Sequence, residues 1–222
     1  MSFLEAKNLS FSSRSGEIIH DVSLSIEKGS STVFIGHSGS GKSTLLKLVA
    51  GLLVPSSGTM LFEGKDIELM SDTENENFRK RSAFVFQDSA LWANQTIFQN
   101  LSLPLELHFP KMKYEERLST VQEICSMVNF TKALDLRPAN LSAGEQKLVA
   151  FARAMICKPE LLFLDEVTAS LDKKNVERVI TLLHEFVEQG NTLVYVSHNS
   201  TMIAEFQGKM IYIEDGKVKD EI

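Results

Sequence analysis

The 222-residue sequence predicts an α/β fold: a core built on a mixed central sheet, an N-terminal antiparallel β subdomain and an inserted helical subdomain. Three observations carry that prediction. Gly36–Thr44 reads Gly-His-Ser-Gly-Ser-Gly-Lys-Ser-Thr between an apolar run and a helical pattern. Leu161-Leu162-Phe163-Leu164 is a second apolar run, ending in Asp165-Glu166. Between the two halves, residues 88–157 lose the strand pattern and take on helical spacing.

Phe3–Phe11 and Glu17–Glu27 alternate as short strands, with Gly16 and Lys28-Gly29 at the turns, and form the antiparallel flank. Ser31–Ile35 is a buried strand, and Lys42–Ala50 follows with a 3.6-residue period. The glycines Gly36, Gly39 and Gly41 let the intervening loop fold tightly, so that backbone N–H groups converge on one anion. Lys42 adds a compact positive charge, and the Ser43 hydroxyl stands where it can ligate Mg²⁺. The helix behind the loop aims its N-terminus at the same point. The loop therefore binds phosphate groups, with His37, Ser38, Ser40 and Thr44 completing it.

Pro55–Gly58 is a turn, Thr59–Phe62 a strand, Ser71–Asn77 a polar loop or helix start, and Ser82–Phe86 a buried strand ending at Gln87. From Leu91 to Leu107 the apolar residues, interrupted by Pro104, are too irregular for a strand, and Tyr114–Asn129 is helical. Trp92 is read as exposed and Leu141–Glu145 as the start of a helix reaching about Ile156. Ser142 with Glu145 three residues on is, at its plainest, a capping box. The apolar strand before Asp165-Glu166 fits a parallel sheet buried on both faces, whose carboxyl end is where such folds bind ligands. One carboxylate there supports a metal ion through water and the next accepts a proton from attacking water; the plain alternative is a helix cap. Lys173–Gln189 is an amphipathic helix, Thr192–Val196 a buried strand leading directly to Ser197-His198, and Asp215-Gly216 the turn of a final hairpin. His198 stands at the same sheet edge as the other two sites. The whole is divided as 1–87 and 158–222 for the core with its antiparallel flank, and 88–157 for the helical part.

Net charge is −6, which argues against a nucleic-acid partner. No apolar run approaches a membrane span, no secretion signal starts the chain, and Cys125 and Cys157 read as free thiols of a reducing cytoplasm.

The ordered set of phosphate loop, Gln87, Leu141-Ser142-Ala143-Gly144-Glu145, Leu161–Glu166, Ser170-Leu171-Asp172 and His198 resembles the ATP-binding subunit of ABC transporters. That resemblance implies a P-loop NTPase core and an Mg²⁺-dependent ATPase that powers a separate integral membrane permease by ATP-driven homodimer closure, peripheral on the cytoplasmic face of the membrane. It implies that Phe11 stacks on adenine, that Gln87 senses Mg²⁺ and the membrane partner, and that Asp165 supports Mg²⁺. Glu166 is then the general base and His198 a γ-phosphate contact. Ser142 and Gly144, with Glu145 beside them, close the nucleotide site of the opposite subunit. Three positions depart from the family's usual pattern: Ala143-Gly144-Glu145 in place of Gly-Gly-Gln, Val167 in place of Pro, and Phe11 in place of Tyr. Leu91 and Trp92 are expected at the permease contact, and the stretch after Gln87 resembles ATPases of phospholipid or lipoprotein trafficking. The alternatives are a non-transport ABC protein, which usually carries tandem cassettes or a long coiled coil that this chain lacks, and a signalling ATPase of the cell-division type.

Overall fold

The computed structural model describes residues 2–14, 16–206 and 208–221. Two sheets organise them. The first contains β1 (Leu4–Ser13), β2 (Gly16–Ile26), β4 (Ser57–Phe62) and the two-residue β5 (Lys65–Asp66), in the order β2-β1-β4-β5 and antiparallel throughout. The second contains β3 (Ser31–Ile35), β6 (Ser82–Val85), β7 (Leu161–Asp165), β8 (Thr192–Val196), β9 (Lys209–Glu214) and β10 (Lys217–Glu221). Its order is β10-β9-β3-β8-β7-β6, with five strands parallel and β10 antiparallel at the edge, so the central sheet is mixed as expected.

Strand geometry explains how one sheet serves two cores. Successive side chains point to opposite faces, so Phe34, Leu161, Phe163, Val194, Val196, Ile211 and Ile213 face one cluster. Val33, Val85, Leu162, Leu164, Leu193 and Tyr195 face the other. The register keeps the faces consistent: Phe34 lies beside Val196, and Val33 beside Tyr195. On the first face the antiparallel sheet and α1 (Lys42–Val49) supply Leu4, Leu9, Ile19, Leu45 and Leu46. α2 (Asp72–Arg81) adds Phe78, and a capping box at Ser71 and Glu74 starts that helix where the sequence allowed either a loop or a helix.

On the second side, α5 (Ala143–Met155) and α6 (Lys173–Glu188) pack on the sheet, and α3 (Ile97–His108) and α4 (Tyr114–Met127) pack on α5, all within one apolar cluster. α3 carries Pro104 within it, yet Ile97, Leu101 and Leu105 are buried along one stripe. Packing of that stripe overrides the lost backbone donor. α7 (Ser200–Glu205), a short helix capped by Asn199, was not signalled by periodicity; only Met202 of it is buried. No helix among the described residues is long and apolar enough to cross a membrane.

Candidate phosphate-binding and hydrolytic site

Three strands, β3, β7 and β8, end side by side and deliver the site. After β3 the chain turns through Gly36, Gly39 and Gly41, whose φ angles are 147°, 80° and 100°. A Cβ on Gly36 would collide with the Ile213 carbonyl of β9, so both the conformation and the space require glycine there. The final hairpin buttresses the loop: Gly216 N–H donates to the Ser40 carbonyl at 3.0 Å, and His20 N–H donates to the Gly216 carbonyl at 2.9 Å. Lys42 is buried and folds back, its Nζ donating to the Gly36 carbonyl at 3.0 Å and the His37 carbonyl at 2.6 Å. An ammonium carries three donors, so one remains for a ligand. Burial lowers the Lys42 pKa, while the charges of Glu166 and Asp165 pull it back up.

Across the cleft, Ser43 Oγ donates to Asp165 Oδ1 at 2.7 Å, joining the first turn of α1 to the end of β7. Asp165 is buried. Glu166 follows with φ of 52°, a backbone state that is uncommon and costly outside glycine. Its N–H donates to the Val196 carbonyl at 3.1 Å, which fixes the residue against β8. One carboxylate oxygen accepts from His198 N–H at 3.3 Å. The other lies 3.4 Å from His198 Nε2 without forming a hydrogen bond, and so is a buried acceptor with no donor among the described residues.

Lys42, Ser43, Glu166, Val196 and His198 line one open cleft of about 730 Å³, together with Ser38, Gly39, Gly41, Thr44, Gln87 and Ala169, while Asp165 lies behind Ser43. Gln87 is exposed and enters from the end of β6. Ile18 of β2 lines the cleft as well, a residue that periodicity gave no reason to select. Phe11 does not line it; it is partly buried on β1, paired in register with Ile19 beside Ile18. His37 points aside, with Nδ1 2.8 Å from the Ser38 carbonyl and Nε2 3.6 Å from Asp215.

Ser142, Gly144 and Glu145 lie outside the cleft lining. Ser142 caps α5: its Oγ accepts from Glu145 N–H at 3.2 Å, and Glu145 accepts in return from Ser142 N–H at 2.8 Å. The capping box is therefore real, and Ser142 and Ala143 are exposed at its tip. Lys132 lies 3.3 Å from Glu145. The Ser142 N–H and Lys132 together hold that carboxyl below the usual range. Gly144 is required on space alone, because a Cβ there would lie 2.8 Å from the Ser170 carbonyl. No sequence signal pointed to Lys147, which is 5% exposed and sends its Nζ to the carbonyls of Phe86, at 3.1 Å, and Gln87. Burial lowers its pKa, against the raising charges of Asp165, Asp88 and Glu166. Asn100 was missed too: buried, it accepts from Trp92 N–H at 2.8 Å and donates to the Trp92, Gln95 and Thr96 carbonyls, while the Trp92 side of this loop stays 56% exposed.

A glycine-rich loop opening a helix beside a buried strand that ends in two carboxylates defines a phosphate-loop nucleotide-binding domain. The particular family follows from comparison with known proteins. The family model described as ABC transporter matches residues 19–169, and the chain belongs to that family. It is 37% identical over 221 residues to the lipoprotein-releasing system ATP-binding protein LolD of Aquifex aeolicus, covering 99% of this chain and 97% of that protein. It is 35% identical over 205 residues to the methionine import ATP-binding protein MetN of Chlamydia pneumoniae, covering 91% of this chain but 60% of that protein. The chain thus spans about three fifths of the length of that methionine-import relative. Its fold matches the dimeric ATP-binding cassette MJ0796, in a post-hydrolysis state bound to ADP and Pi, with a TM-score of 0.92 at 30% identity over 99% of this chain and 97% of that one.

Proposed function

We propose that this chain is the ATP-hydrolysing subunit of an ABC transporter, working as a dimer against a separate membrane permease. The observation that carries the proposal is the uncommitted, buried Glu166 oxygen in the same cleft as the phosphate loop. A carboxylate so placed can take a proton from water attacking a phosphate held on the loop amides and the third Lys42 donor. His198, 3.4 Å from Glu166, supplies a second contact for the terminal phosphate and orients the base.

The donor set fits Mg²⁺. Ser43 Oγ and Asp165 Oδ1 are already 2.7 Å apart, Gln87 enters the same cleft, and no cluster of three or more His, Cys, Asp or Glu suited to a metal exists among the described residues. A magnesium ion held by one hydroxyl, water-mediated carboxylate and the nucleotide's own phosphates needs no such cluster. When bound, it would neutralise charge on the phosphates; Ser43 and Asp165 would hold it. Phe11, outside the cleft lining but beside the strand that carries Ile18, is the surface we assign to the base.

Exposure of Ser142 and Ala143, at a helix N-terminus that lies outside the cleft, supports a role toward a second copy's nucleotide rather than its own. In this reading residues 88–157 act as the helical arm and 1–87 with 158–222 as the core. The partner surface is the groove of about 460 Å³ lined by Trp92, Leu103, Leu107, Leu52 and Phe84 and edged by Arg79 and Lys80. Trp92 and Leu107 are the most exposed of its large apolar residues, and partner binding would cover them. Peripheral attachment to the membrane follows from that partner. LolD and MetN carry different cargo names on similar cassettes, which supports cargo selection by the membrane subunit.

Glu166→Gln tests the assignment. It keeps size and hydrogen bonding but cannot take a proton, so kcat for ATP should fall by at least about 100-fold while ATP affinity stays within about threefold. Undiminished hydrolysis would remove Glu166 from the role.

A further inference from the structure

We propose that Lys147 and Arg153 form a two-cation clasp by which α5 carries the 86–90 segment, so that Gln87 moves with Ser142 during the ATP cycle. The inference rests on the function proposed above and adds a positioning device to it.

The clasp is built from backbone acceptors. Lys147 Nζ donates to the carbonyls of Phe86 and Gln87. Arg153 Nη1 donates to the Ala90 carbonyl at 2.9 Å and Nη2 to the Ser89 carbonyl at 3.1 Å. Four carbonyls of a five-residue stretch are thus held by two side chains of one helix. Ser89 and Ala90 have φ of 66° and 43°, conformations that persist only where surroundings impose them. Val85, one residue earlier, is paired with Leu164 in the central sheet. The chain therefore passes at Phe86 from the sheet's hold to the helix's hold.

A buried ammonium that donates to two neutral carbonyls, with the carboxylates of Asp165, Asp88 and Glu166 acting on it only through their field, is an expensive way to fasten a loop. Neither cation lines the phosphate cleft, so neither is spent on nucleotide. What the arrangement gains is rigidity between two ends of the machinery. Ser142 caps the N-terminus of α5, and Lys147 and Arg153 project from the same continuous helix. A displacement of α5 that carries Ser142 toward a second copy must draw the Gln87 backbone with it. Beyond the clasp lies Trp92, its backbone locked by Asn100, so pressure on the partner groove reaches α5 through the same segment.

Trp92 is the only tryptophan in the chain and reports on this segment. The experiment titrates wild type, Lys147→Met and Arg153→Met with Mg-ATP, following Trp92 fluorescence, ATP affinity and steady-state hydrolysis. In wild type, nucleotide should change Trp92 emission. Lys147→Met should keep ATP affinity within about twofold, lose that emission change and lower kcat about tenfold with KM nearly unchanged. Arg153→Met, at a less buried site, should show the same split to a smaller degree and provides the test if Lys147→Met does not fold. A folded Lys147→Met with wild-type kcat and wild-type Trp92 response would overturn the clasp, as would a raised KM at unchanged kcat. Wild type that binds ATP but does not hydrolyse it would overturn the parent reading, and this one with it.

Discussion

The cleft and the tip of α5 are built on opposite principles. At the cleft, the framework is already joined, Ser43 to Asp165, Lys42 to the loop carbonyls and Gly36 against the backbone of β9, and what is left open is one Lys42 donor and one Glu166 oxygen. At the tip, Ser142 and Ala143 stand in solvent, and the Ser142–Glu145 capping box has Lys132 beside it and no group of the cleft. The cleft is a nearly complete binding site. In the proposed reading the tip is half of one, since a helix N-terminus exposed at Ser142 and Ala143 suits a phosphate brought by a second copy. The difference supports the proposal that catalysis is divided between a preorganised half and a half that a second copy completes.

Lys42→Ala strikes the preorganised half and should have the largest effect. It removes the loop's only side-chain cation and leaves two carbonyls without their donor, so affinity for a fluorescent ATP analogue should fall about 100-fold or more. Binding within twofold of wild type would mean that the loop does not hold the nucleotide.

Gly144→Ala strikes the other half. The new methyl must displace the Ser170 backbone 2.8 Å away, tilting the start of α5. An overpacking cost of this kind should weaken ATP-dependent dimerisation about tenfold while leaving ATP binding by the single chain intact. Equal loss of both would erase the distinction between the two halves. A smaller effect is expected from Glu145→Gln. Lys132 and the Ser142 N–H already hold the Glu145 carboxylate, so its charge is partly offset beside the surface that would meet a phosphate. Removing it should tighten the dimer by about threefold at low salt, with the gain fading as ionic strength rises. Sedimentation at two salt concentrations measures both.

The cleft was far more legible in the sequence than the elements that brace it. Gly36, Lys42 and Ser43 act within nine residues of chain, so local spacing reveals them. Asp165 and Glu166 are betrayed by the apolar strand that must precede them. The central strands were readable for the same reason: both faces are buried, so β3, β7 and β8 run almost without polar interruption. Lys147 was not legible, because a lysine on a helix reads as solvated until its neighbours are known. Ile18 enters the cleft only because the antiparallel sheet docks on α1, which no window of sequence contains. α3 resisted reading because Pro104 breaks the local rule that packing of Ile97, Leu101 and Leu105 overrides. Asn100 carries no local signal, although it organises the Trp92 loop through four hydrogen bonds.

The division into two halves is tested most directly by the mass of Glu166→Gln in solution, measured by light scattering with and without Mg-ATP. With hydrolysis stalled, two nucleotides should stay trapped between the phosphate loop of one copy and Ser142 of the other, and the mass should double on adding Mg-ATP. Ser142→Arg in the same background should keep it at the monomer value, since a bulky cation at the exposed cap blocks the joint. A Glu166→Gln chain that loses hydrolysis yet stays monomeric at saturating Mg-ATP, or one that dimerises equally well with Ser142→Arg, would contradict the account.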